Sequence, residues 1–393
     1  MEKLINITGK ALSGEWGIDD KEGIGIPVLR TTNFTNDGIV DYSNVITRTI
    51  AKKNIADKFL RKGDIIIEKS GGSDNQPVGR VVYFDNDENK YLFNNFTGLL
   101  RVKDTTKWLP KYIFYSLFAN YQSGGTRRYE NKTTGLHNLQ TDFYVKDFEI
   151  KEISYSEQIE ICELFDKITD LIDKRKQQLE KLDELVKARF VEMFGDCVHN
   201  DRGWRAKTVE RVCKGIYGGG TPSKAPSEYY ENGNIPWVSS KDMKTDILTD
   251  SQVHINQLGI DNSTAQLVPV NSVIMVIRSG ILKHTLPVAI NAVPITVNQD
   301  LKVFIPKNEI LARFLAVQFK MHEKDILAGV RAVTADNIEF NSLKQRELIV
   351  PPIEFQQKYV SFLEQIDKSK FEIKQSFEKL ELLKKALMQK YFG

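Results

Sequence analysis

Residues 356–393 repeat residues 158–195 without a gap. Glu180-Lys181-Leu182 in the first segment recurs as Glu378-Lys379-Leu380 in the second, an offset of 198 residues (378 − 180) that holds to the final glycine. Because this offset is about half of the 393-residue chain, the chain consists of two copies of one unit. Each copy has a head followed by a tail, and the tails match far better than the heads do.

Both tails carry apolar residues at alternating spacings of four and three, and eight of ten such positions are apolar in each. This period, sustained over nearly five heptads, is typical of a coiled coil. We therefore expect two helices, each roughly 50 Å long at 1.5 Å per residue, that pair with each other. A lone amphipathic surface helix would give one such pattern, whereas two in the same register favour mutual pairing. The residues assigned to this contact are Ile161, Phe165, Ile168, Ile172, Leu179, Leu182 and Val186 in the first tail, and Leu363, Ile366, Ile373, Phe377, Leu380 and Leu387 in the second.

The heads contain short apolar runs separated by Gly, Asn, Asp and Pro, which predict strands joined by turns. Examples are residues 63–67 and 79–84 in the first head and 272–277 and 301–306 in the second. Each head also has one predicted helix, so both are expected to be α+β domains. The predicted boundaries are 1–157 for the first head, 158–195 for the first helix, 196–355 for the second head and 356–393 for the second helix.

The balance of charges excludes a strongly basic protein. The formal net charge is +3 and the pI is about 8.4, so a polyanionic partner would have to be bound by local patches. The sequence has no apolar run long enough to cross a membrane, and its first residues lack the apolar core of a signal peptide. The three cysteines are widely spaced, which predicts free thiols and a cytoplasmic protein.

The sequence contains no recognisable catalytic or metal-binding motif. The glycine-rich segment 215–222 lacks the Gly-Lys-Ser/Thr ending of a phosphate-binding loop, and the histidines lack the spacing of zinc ligands. Asp64 and Glu68-Lys69 loosely resemble a metal-dependent nuclease site, but adjacent residues on a strand point to opposite faces. We therefore expect a chain with no catalytic residues, no metal and no cofactor of its own.

Basic, amide and hydroxyl side chains recur at matching places on the predicted loops of both heads. Arg and Lys suit guanine edges and phosphates, Asn and Gln suit adenine edges, and Ser and Thr suit either. Any single one could be an ordinary solvated loop residue, but their recurrence predicts a DNA-binding surface on each head. The candidates are Arg30, Thr32, Asn33, Lys69, Ser70, Asn95, Arg127 and Arg128 in the first head, and Ser239, Ser240, Lys241, Arg278, Ser279, Lys283, His284, Asn298 and Arg331 in the second.

Two segments carry a family resemblance. Residues 218–223 (Gly-Gly-Gly-Thr-Pro-Ser), followed by residues 229–243, resemble the start of a target recognition domain from the specificity subunit of type I restriction–modification enzymes. Val350-Pro351-Pro352-Ile353, leading to Gln356, resembles the entry of that family into its spacer helix. The first copy keeps Glu157-Gln158 but lacks the prolines and the glycine-rich opening.

The resemblance implies two target recognition domains with mixed or antiparallel sheets, separated by two helices that form an antiparallel coiled coil with approximate two-fold symmetry. It implies binding to a bipartite, asymmetric site on double-stranded DNA. It also implies that two methyltransferase subunits, which modify adenine, dock on the helices, and that restriction subunits join the full complex. S-adenosylmethionine, ATP and Mg²⁺ would then be bound by those partners.

Two other functions are compatible with the sequence. The chain could be an autonomous nuclease or methyltransferase with duplicated DNA-binding heads, although the missing catalytic motifs count against this. It could also be a coiled-coil adaptor that binds proteins through both heads, and specific, salt-dependent DNA binding would exclude that role.

Overall fold

The computed structural model describes residues 1–133, 136–223, 225–332 and 336–393; within those ranges it gives only the backbone of residues 132, 133, 136, 331, 332 and 336. The chain divides into two compact units. Unit 1 comprises Met1–Lys176 and Gln375–Gly393, and unit 2 comprises Gln177–Lys374. Each unit therefore contains one head together with parts of both tails.

The first head is built mainly on antiparallel sheets, with strand orders β2-β10-β6-β8, β3-β5-β4-β9, β11-β12-β7 and β1-β13. The strands are β1 (Glu2–Lys3), β2 (Leu12–Ser13), β3 (Ile18–Asp19), β4 (Ile26–Leu29), β5 (Ile46–Thr49), β6 (Ile65–Glu68), β7 (Ser70–Gly72), β8 (Val81–Tyr83), β9 (Leu92–Phe93), β10 (Thr97–Leu100), β11 (Glu130–Thr133), β12 (Leu136–Leu139) and β13 (Glu149–Ile150). The helices are α1 (Leu4–Thr8), α2 (Pro110–Gln122) and α3 (Thr141–Asp147), and the long helix α4 (Tyr155–Phe194) follows.

The apolar run in β6 allows both faces of its sheet to be covered by a hydrophobic core. Ile65 and Ile67 belong to the core that includes α2, whereas Ile66 belongs to a separate core on the opposite side. Successive strand residues point to opposite faces, so a continuous isoleucine run is buried on both. Pro110 starts α2, where its missing N–H and fixed φ fit the first helical turn.

The second head repeats this plan with a five-stranded sheet, β15-β22-β19-β20-β17, a three-stranded sheet, β18-β16-β21, and the strand pairs β14-β25 and β23-β24. The strands are β14 (Ala206–Thr208), β15 (Cys213–Gly218), β16 (Ile235–Val238), β17 (Ile247–Leu248), β18 (His254–Ile255), β19 (Val273–Val276), β20 (Val288–Asn291), β21 (Thr296–Val297), β22 (Leu301–Pro306), β23 (Arg331–Ala332), β24 (Asp336–Asn337) and β25 (Glu347–Ile349). The helices are α5 (Val209–Val212), α6 (Gln257–Asp261), α7 (Ala312–Met321), α8 (Glu323–Ala328) and α9 (Phe340–Gln345), and the long helix α10 (Ile353–Phe392) follows. The predicted α+β class is confirmed for both heads.

The two long helices pack against each other in opposite directions within each unit. In unit 1 the rings of Phe165 and Phe392 lie 5.8 Å apart, which joins the start of α4 to the end of α10. In unit 2 the hydroxyl of Tyr359 donates to the carbonyl oxygen of Val186 at 3.0 Å, which joins the end of α4 to the start of α10. All thirteen residues assigned to the helix contact are buried or half-buried. Among the described residues, no helix combines the length and the apolar character that crossing a membrane requires.

Charged residues at the helix contact have partners of opposite charge nearby. Lys370 pairs with Asp183 in unit 2. In unit 1 the pKa of the Lys384 ammonium is lowered, mainly because the group is buried. The neighbouring carboxylates of Asp37 and Asp173 oppose this shift without cancelling it. Polar residues at such positions fix the register of paired helices at a cost in stability.

A buried glutamine near the start of each long helix ties that helix to its head. Gln356 accepts a hydrogen bond from the Leu311 N–H at 2.9 Å, and its amide donates to the carbonyl oxygens of Glu309 and Pro351 at 2.9 and 2.8 Å. The Leu311 N–H is one of the donors at the start of α7 that lack a partner within the helix. One side chain thus joins the start of α7, the chain before it and the entry to α10.

The first head contains the same arrangement. Gln158 accepts from the Leu109 N–H at 2.8 Å and donates to the carbonyl oxygens of Lys107 and Ile153 at 3.0 and 3.2 Å. Leu109 precedes α2 as Leu311 precedes α7. The two glutamines, 198 residues apart, therefore make equivalent hydrogen bonds that fasten each long helix to its head.

Replacing Gln356 with leucine should destabilise the second head, because three buried backbone groups lose their partner while the shape of the side chain is nearly kept. We expect a loss of about 3 kcal/mol in the free energy of unfolding, together with faster hydrogen exchange at the Leu311 amide. The matched control is Gln357→Leu at the exposed neighbouring position, which should change stability by less than about 0.5 kcal/mol. If urea unfolding showed equal losses of stability for the two substitutions, Gln356 would not be the residue that ties α10 to the second head.

Candidate nucleic-acid interface

Three short segments of the first head form one surface, and we name them by their residues: turn A (30–33), turn B (69–70, the link from β6 to β7 with the first residue of β7) and turn C (94–96). Strands β4 and β9 are parallel neighbours, so the turns that follow them, A and C, leave the sheet at the same edge. The Asn94 N–H donates to the Leu29 carbonyl oxygen at 2.9 Å, and the Lys69 N–H donates to the Phe96 carbonyl oxygen at 2.8 Å. Backbone hydrogen bonds thus hold the three turns side by side.

The second head builds the same surface from turn A (239–242), turn B (278–279) and turn C (298–300). Strands β16 and β21 form the parallel pair. The Asn298 N–H donates to the Val238 carbonyl oxygen at 3.0 Å, and the Arg278 N–H donates to the Asp300 carbonyl oxygen at 3.3 Å. We call each set of turns the three-turn surface of its head. Most of the DNA-binding candidates lie on these two surfaces.

Turn A is closed by a side chain that sequence reasoning had assigned to base contact. Asn33 is only 2% exposed; its oxygen accepts from the Arg30 N–H at 2.9 Å, and its amide donates to the carbonyl oxygens of Asp41 and Asn44 at 3.0 and 3.1 Å. In the second head Asp242 accepts from the Ser239 N–H at 2.9 Å and from its hydroxyl at 2.8 Å. Asn33 therefore supports the turn rather than presenting its amide to a base.

Asn298 also differs from the sequence-based expectation. It is 7% exposed, and its amide donates to the Asp300 carboxylate at 3.1 Å, so it braces turn C from inside. The exposed candidates on the two surfaces are Thr32, Asn95, Lys241 and Arg278, and the half-buried ones are Arg30, Lys69, Ser70, Ser239, Ser240 and Ser279. Lys283 and His284 are also exposed but lie outside the three turns, at the end of the short 3-10 helix Gly280–Lys283.

Arg127 and Arg128 lie on the short 3-10 helix Gly125–Tyr129, and both are exposed. The Arg127 guanidinium donates to the Asp74 carbonyl oxygen at 3.1 Å, which places it beside the segment that follows β7. The Arg128 guanidinium lies 4.7 Å from the centre of the Tyr129 ring. The side chain of Arg331 lies outside what the structure describes, although its backbone forms β23.

In each head a lysine at or close to turn B lies near a second cation. Lys69 donates to the Ser13 hydroxyl at 3.0 Å, and burial, helped by the nearby Lys58, lowers the pKa of its ammonium. In the second head burial, together with Lys344 and Arg278, lowers the pKa of Lys302. A cation whose charge is disfavoured by burial and by neighbouring cations gains from an added anion such as a DNA phosphate.

The acidic residues that resembled a nuclease site have structural roles. Asp64 receives two hydrogen bonds from the Arg101 guanidinium, at 2.7 and 2.6 Å. Glu68 contacts Arg80 at 3.3 Å, and Arg80 also donates to the carbonyl oxygens of Phe34 and Thr31 at 2.9 Å. Arg80 thereby supports turn A, a role that the sequence did not suggest. Within the described ranges, no group of three or more His, Cys, Asp or Glu residues is arranged to hold a metal ion.

One exposed residue of the surface was also missed. Phe96 in turn C is 53% exposed, although an aromatic residue next to a strand is usually expected in the core. Its signal in the sequence was the preceding Asn94-Asn95 pair, which marks a turn rather than a strand.

Comparison with known proteins agrees with this architecture. The family model described as the type I restriction modification DNA specificity domain matches twice, at residues 3–184 and 201–385. The chain is 32% identical over 278 residues to the specificity subunit of the type I restriction enzyme EcoR124I/EcoR124II of Escherichia coli, covering 67% of this chain and 65% of that protein. It is 28% identical over 320 residues to the specificity subunit of the enzyme MjaIX of Methanocaldococcus jannaschii, covering 77% of this chain and 68% of that protein. The chain thus spans about two thirds of the length of these curated relatives.

Solved structures share the fold at low sequence identity. The S subunit of a type I restriction–modification system from M. genitalium matches with a TM-score of 0.59 and 15% identity, over 100% of this chain and 95% of that one. A second solved structure, which describes complex assembly and conformational transition of the type I R-M system, contains a chain that matches with a TM-score of 0.60 and 15% identity. The match covers 99% of this chain and 96% of that one. Both copies of the repeat match the family model, and these curated relatives are specificity subunits of type I restriction enzymes. The chain belongs to the type I restriction–modification DNA specificity family.

Proposed function

We propose that each head reads one half of a bipartite, asymmetric DNA site and that the chain acts as the specificity subunit of a type I restriction–modification enzyme. The observation that carries this proposal is the pair of three-turn surfaces. One backbone arrangement occurs twice in a chain of the DNA specificity family, with different side chains in each copy. Two surfaces with the same backbone and different side chains suit a DNA site whose two halves differ in sequence.

The exposed groups on these surfaces match the chemistry of duplex DNA. Arg278 and Lys241 suit phosphates and guanine edges, whereas Thr32 and Asn95 offer a hydroxyl and an amide for base edges. With a net charge of only +3, affinity would depend on these local groups and on the partner subunits.

The long helices would serve as the spacer and as the docking site for two methyltransferase subunits. Leu185 and Leu383 are both exposed at equivalent positions of α4 and α10, 198 residues apart (383 − 185). Equivalent exposed leucines on two helices suit two copies of one partner. Restriction subunits would join the full complex, and S-adenosylmethionine, ATP and Mg²⁺ would be bound by these partners in the cytoplasm.

The rival functions make different predictions for purified components. An autonomous nuclease or methyltransferase would modify DNA without any partner, whereas the proposed subunit needs its methyltransferase. A protein-binding adaptor would show no preference between the methylated site and a scrambled duplex, and no steep dependence of DNA affinity on salt.

Substitutions on one head should affect only that head's half of the site. We expect Arg127→Ala, in the complex with the methyltransferase, to weaken recognition of the first half-site, and Lys241→Ala to weaken recognition of the second. A side chain at either position that contacts a phosphate rather than a base would instead, when removed, weaken binding to all sequences alike and reduce the salt dependence of DNA binding by about one unit of slope. Single-molecule methylation mapping of cells that carry each variant measures the outcome. If both variants relaxed the same half-site, the assignment of one half to each head would be wrong.

Within turn A, a supporting residue and an exposed residue should behave differently. Asn33→Ala removes three buried hydrogen bonds, so we expect a loss of about 2 kcal/mol in stability together with weaker DNA recognition by the first head. Thr32→Ala at the exposed position should weaken recognition while stability changes by less than about 0.5 kcal/mol. Thermal unfolding and DNA binding of both variants separate the two roles. A stable Asn33→Ala variant with altered base preference would restore Asn33 as a base contact.

The gap between the half-sites should follow the length of the helices. Inserting seven residues, one heptad, after Lys176 and again after Lys374 lengthens both helices where the two units divide. Each insertion adds roughly 10 Å, about three base pairs, so the spacer should lengthen while the half-site sequences stay the same. The control is the same insertion after Asn89, in an exposed loop, which should leave the spacer unchanged. Altered half-sites with an unchanged spacer would rule out the spacer role.

A further inference from the structure

At one equivalent backbone position, turn C carries an aromatic side chain in the first head and a carboxylate in the second. The turn closes in the same way in both: the Thr97 N–H donates to the Asn94 carbonyl oxygen at 3.1 Å, and the Leu301 N–H donates to the Asn298 carbonyl oxygen at 3.3 Å. The residue before each donor, Phe96 or Asp300, accepts a backbone hydrogen bond from turn B. Phe96 and Asp300 are therefore equivalent by position.

Folding does not account for an aromatic residue at this position. The second head closes the same turn with an aspartate, so the backbone arrangement needs no apolar side chain. Phe96 keeps about half of its surface exposed, so a ligand that covered the ring would remove apolar surface from water. The exposed Asn95 precedes it in the chain, and its carbonyl oxygen accepts a hydrogen bond from the N–H of the half-buried Lys69.

This combination of groups fits the edge of a base pair better than it fits a protein surface. A lysine suits a phosphate, an amide suits adenine, and the apolar group in the major groove that an exposed phenyl ring suits is the C5-methyl of thymine. An aspartate at the equivalent position suits the N4 amino donor of cytosine instead. The two heads would thus differ in base preference at one corresponding position.

We propose that Phe96 packs against the C5-methyl group of a thymine in the half-site read by the first head and thereby favours thymine there. This rests on the proposed function, because it assumes that the three-turn surface of the first head contacts DNA. Phe96 is then a specificity-determining residue, and Asp300 is its counterpart with a different base preference.

The experiment uses the chain in complex with its methyltransferase subunits and a duplex that carries the site found by methylation mapping. Each thymine of the first half-site is replaced in turn by deoxyuridine, which removes the methyl group and leaves the base-pairing edge intact. We expect one such replacement to raise the Kd of the wild-type complex about four-fold, the value for one buried methyl or methylene group. Phe96→Ala should bind the thymine and deoxyuridine duplexes equally well.

Two further variants keep the test specific. Phe96→Asp places the residue of the second head in the first, where the turn is expected to close normally, and it should also lose the sensitivity to the methyl group. Phe143→Ala removes another exposed phenylalanine of the first head, on α3, and should keep the four-fold effect. If Phe143→Ala rather than Phe96→Ala abolishes the effect, the assignment to Phe96 is overturned.

Other outcomes overturn the inference at different levels. If the mapped first half-site contains no thymine, or if no deoxyuridine replacement changes the Kd while the complex still prefers its site over a scrambled duplex, the thymine contact is wrong and the proposed function stands. If Phe96→Ala weakens binding equally to every duplex, the ring acts without base selectivity, for example as a wedge between base steps. If the wild-type complex shows no preference for the mapped site, the proposed function fails and the inference fails with it.

Discussion

The candidate DNA surface depends on one parallel strand pair within an otherwise mostly antiparallel head. Antiparallel neighbours send their following turns to opposite edges of a sheet, whereas parallel neighbours send them to the same edge. The β4·β9 pair in the first head and the β16·β21 pair in the second place turns A and C together. A backbone hydrogen bond from turn B then completes the surface, so residues distant in sequence meet without help from their side chains.

This arrangement separates the groups that build the surface from the groups that it presents. Asn33 and Asp242 close turn A from inside, and Gln158 and Gln356 fasten each head to its long helix. Substitution of such buried polar groups leaves backbone partners unpaired and costs stability. Exposed turn residues can change at little cost. A scaffold of this kind can acquire a new half-site preference without a new fold.

The sequence predicted the parts of the structure that follow from periodicity. A gapless repeat and a 3.5-residue apolar period are enough to predict two long, paired helices, and alternating apolar runs are enough to predict the α+β heads. Asn33 and Asp242 share the offset of 209 with Lys69 and Arg278 (242 − 33 and 278 − 69), but their common role was hidden because one side chain is an amide and the other a carboxylate. The offset falls to 204 between Asn94 and Asn298. Tails under a common packing constraint keep one offset, whereas turns gain and lose residues freely.

The candidate site was predictable by region but not by residue. An asparagine that closes a turn and one that reads a base are identical in a sequence, and only the 2% exposure of Asn33 separates the two roles. Likewise, the division into two compact units does not follow chain order, because each unit takes parts of both long helices. Sequence reasoning places boundaries where composition changes, and nothing in the composition of a continuous helix marks the point where its packing partners change.

The balance of charges indicates how the proposed work is divided between this chain and its partners. Several basic groups of the first head are already neutralised within it: Arg101 by Asp64, Arg80 by Glu68, and Lys58 by Glu15. Fewer cations then remain to release counterions from a duplex, and counterion release supplies most of the sequence-independent affinity for DNA. Under the proposed function, a surface with modest electrostatic affinity is suited to selecting a sequence rather than to holding DNA. Tight binding would then need the partner subunits, and the chain's own contribution would be the difference in affinity between right and wrong sites.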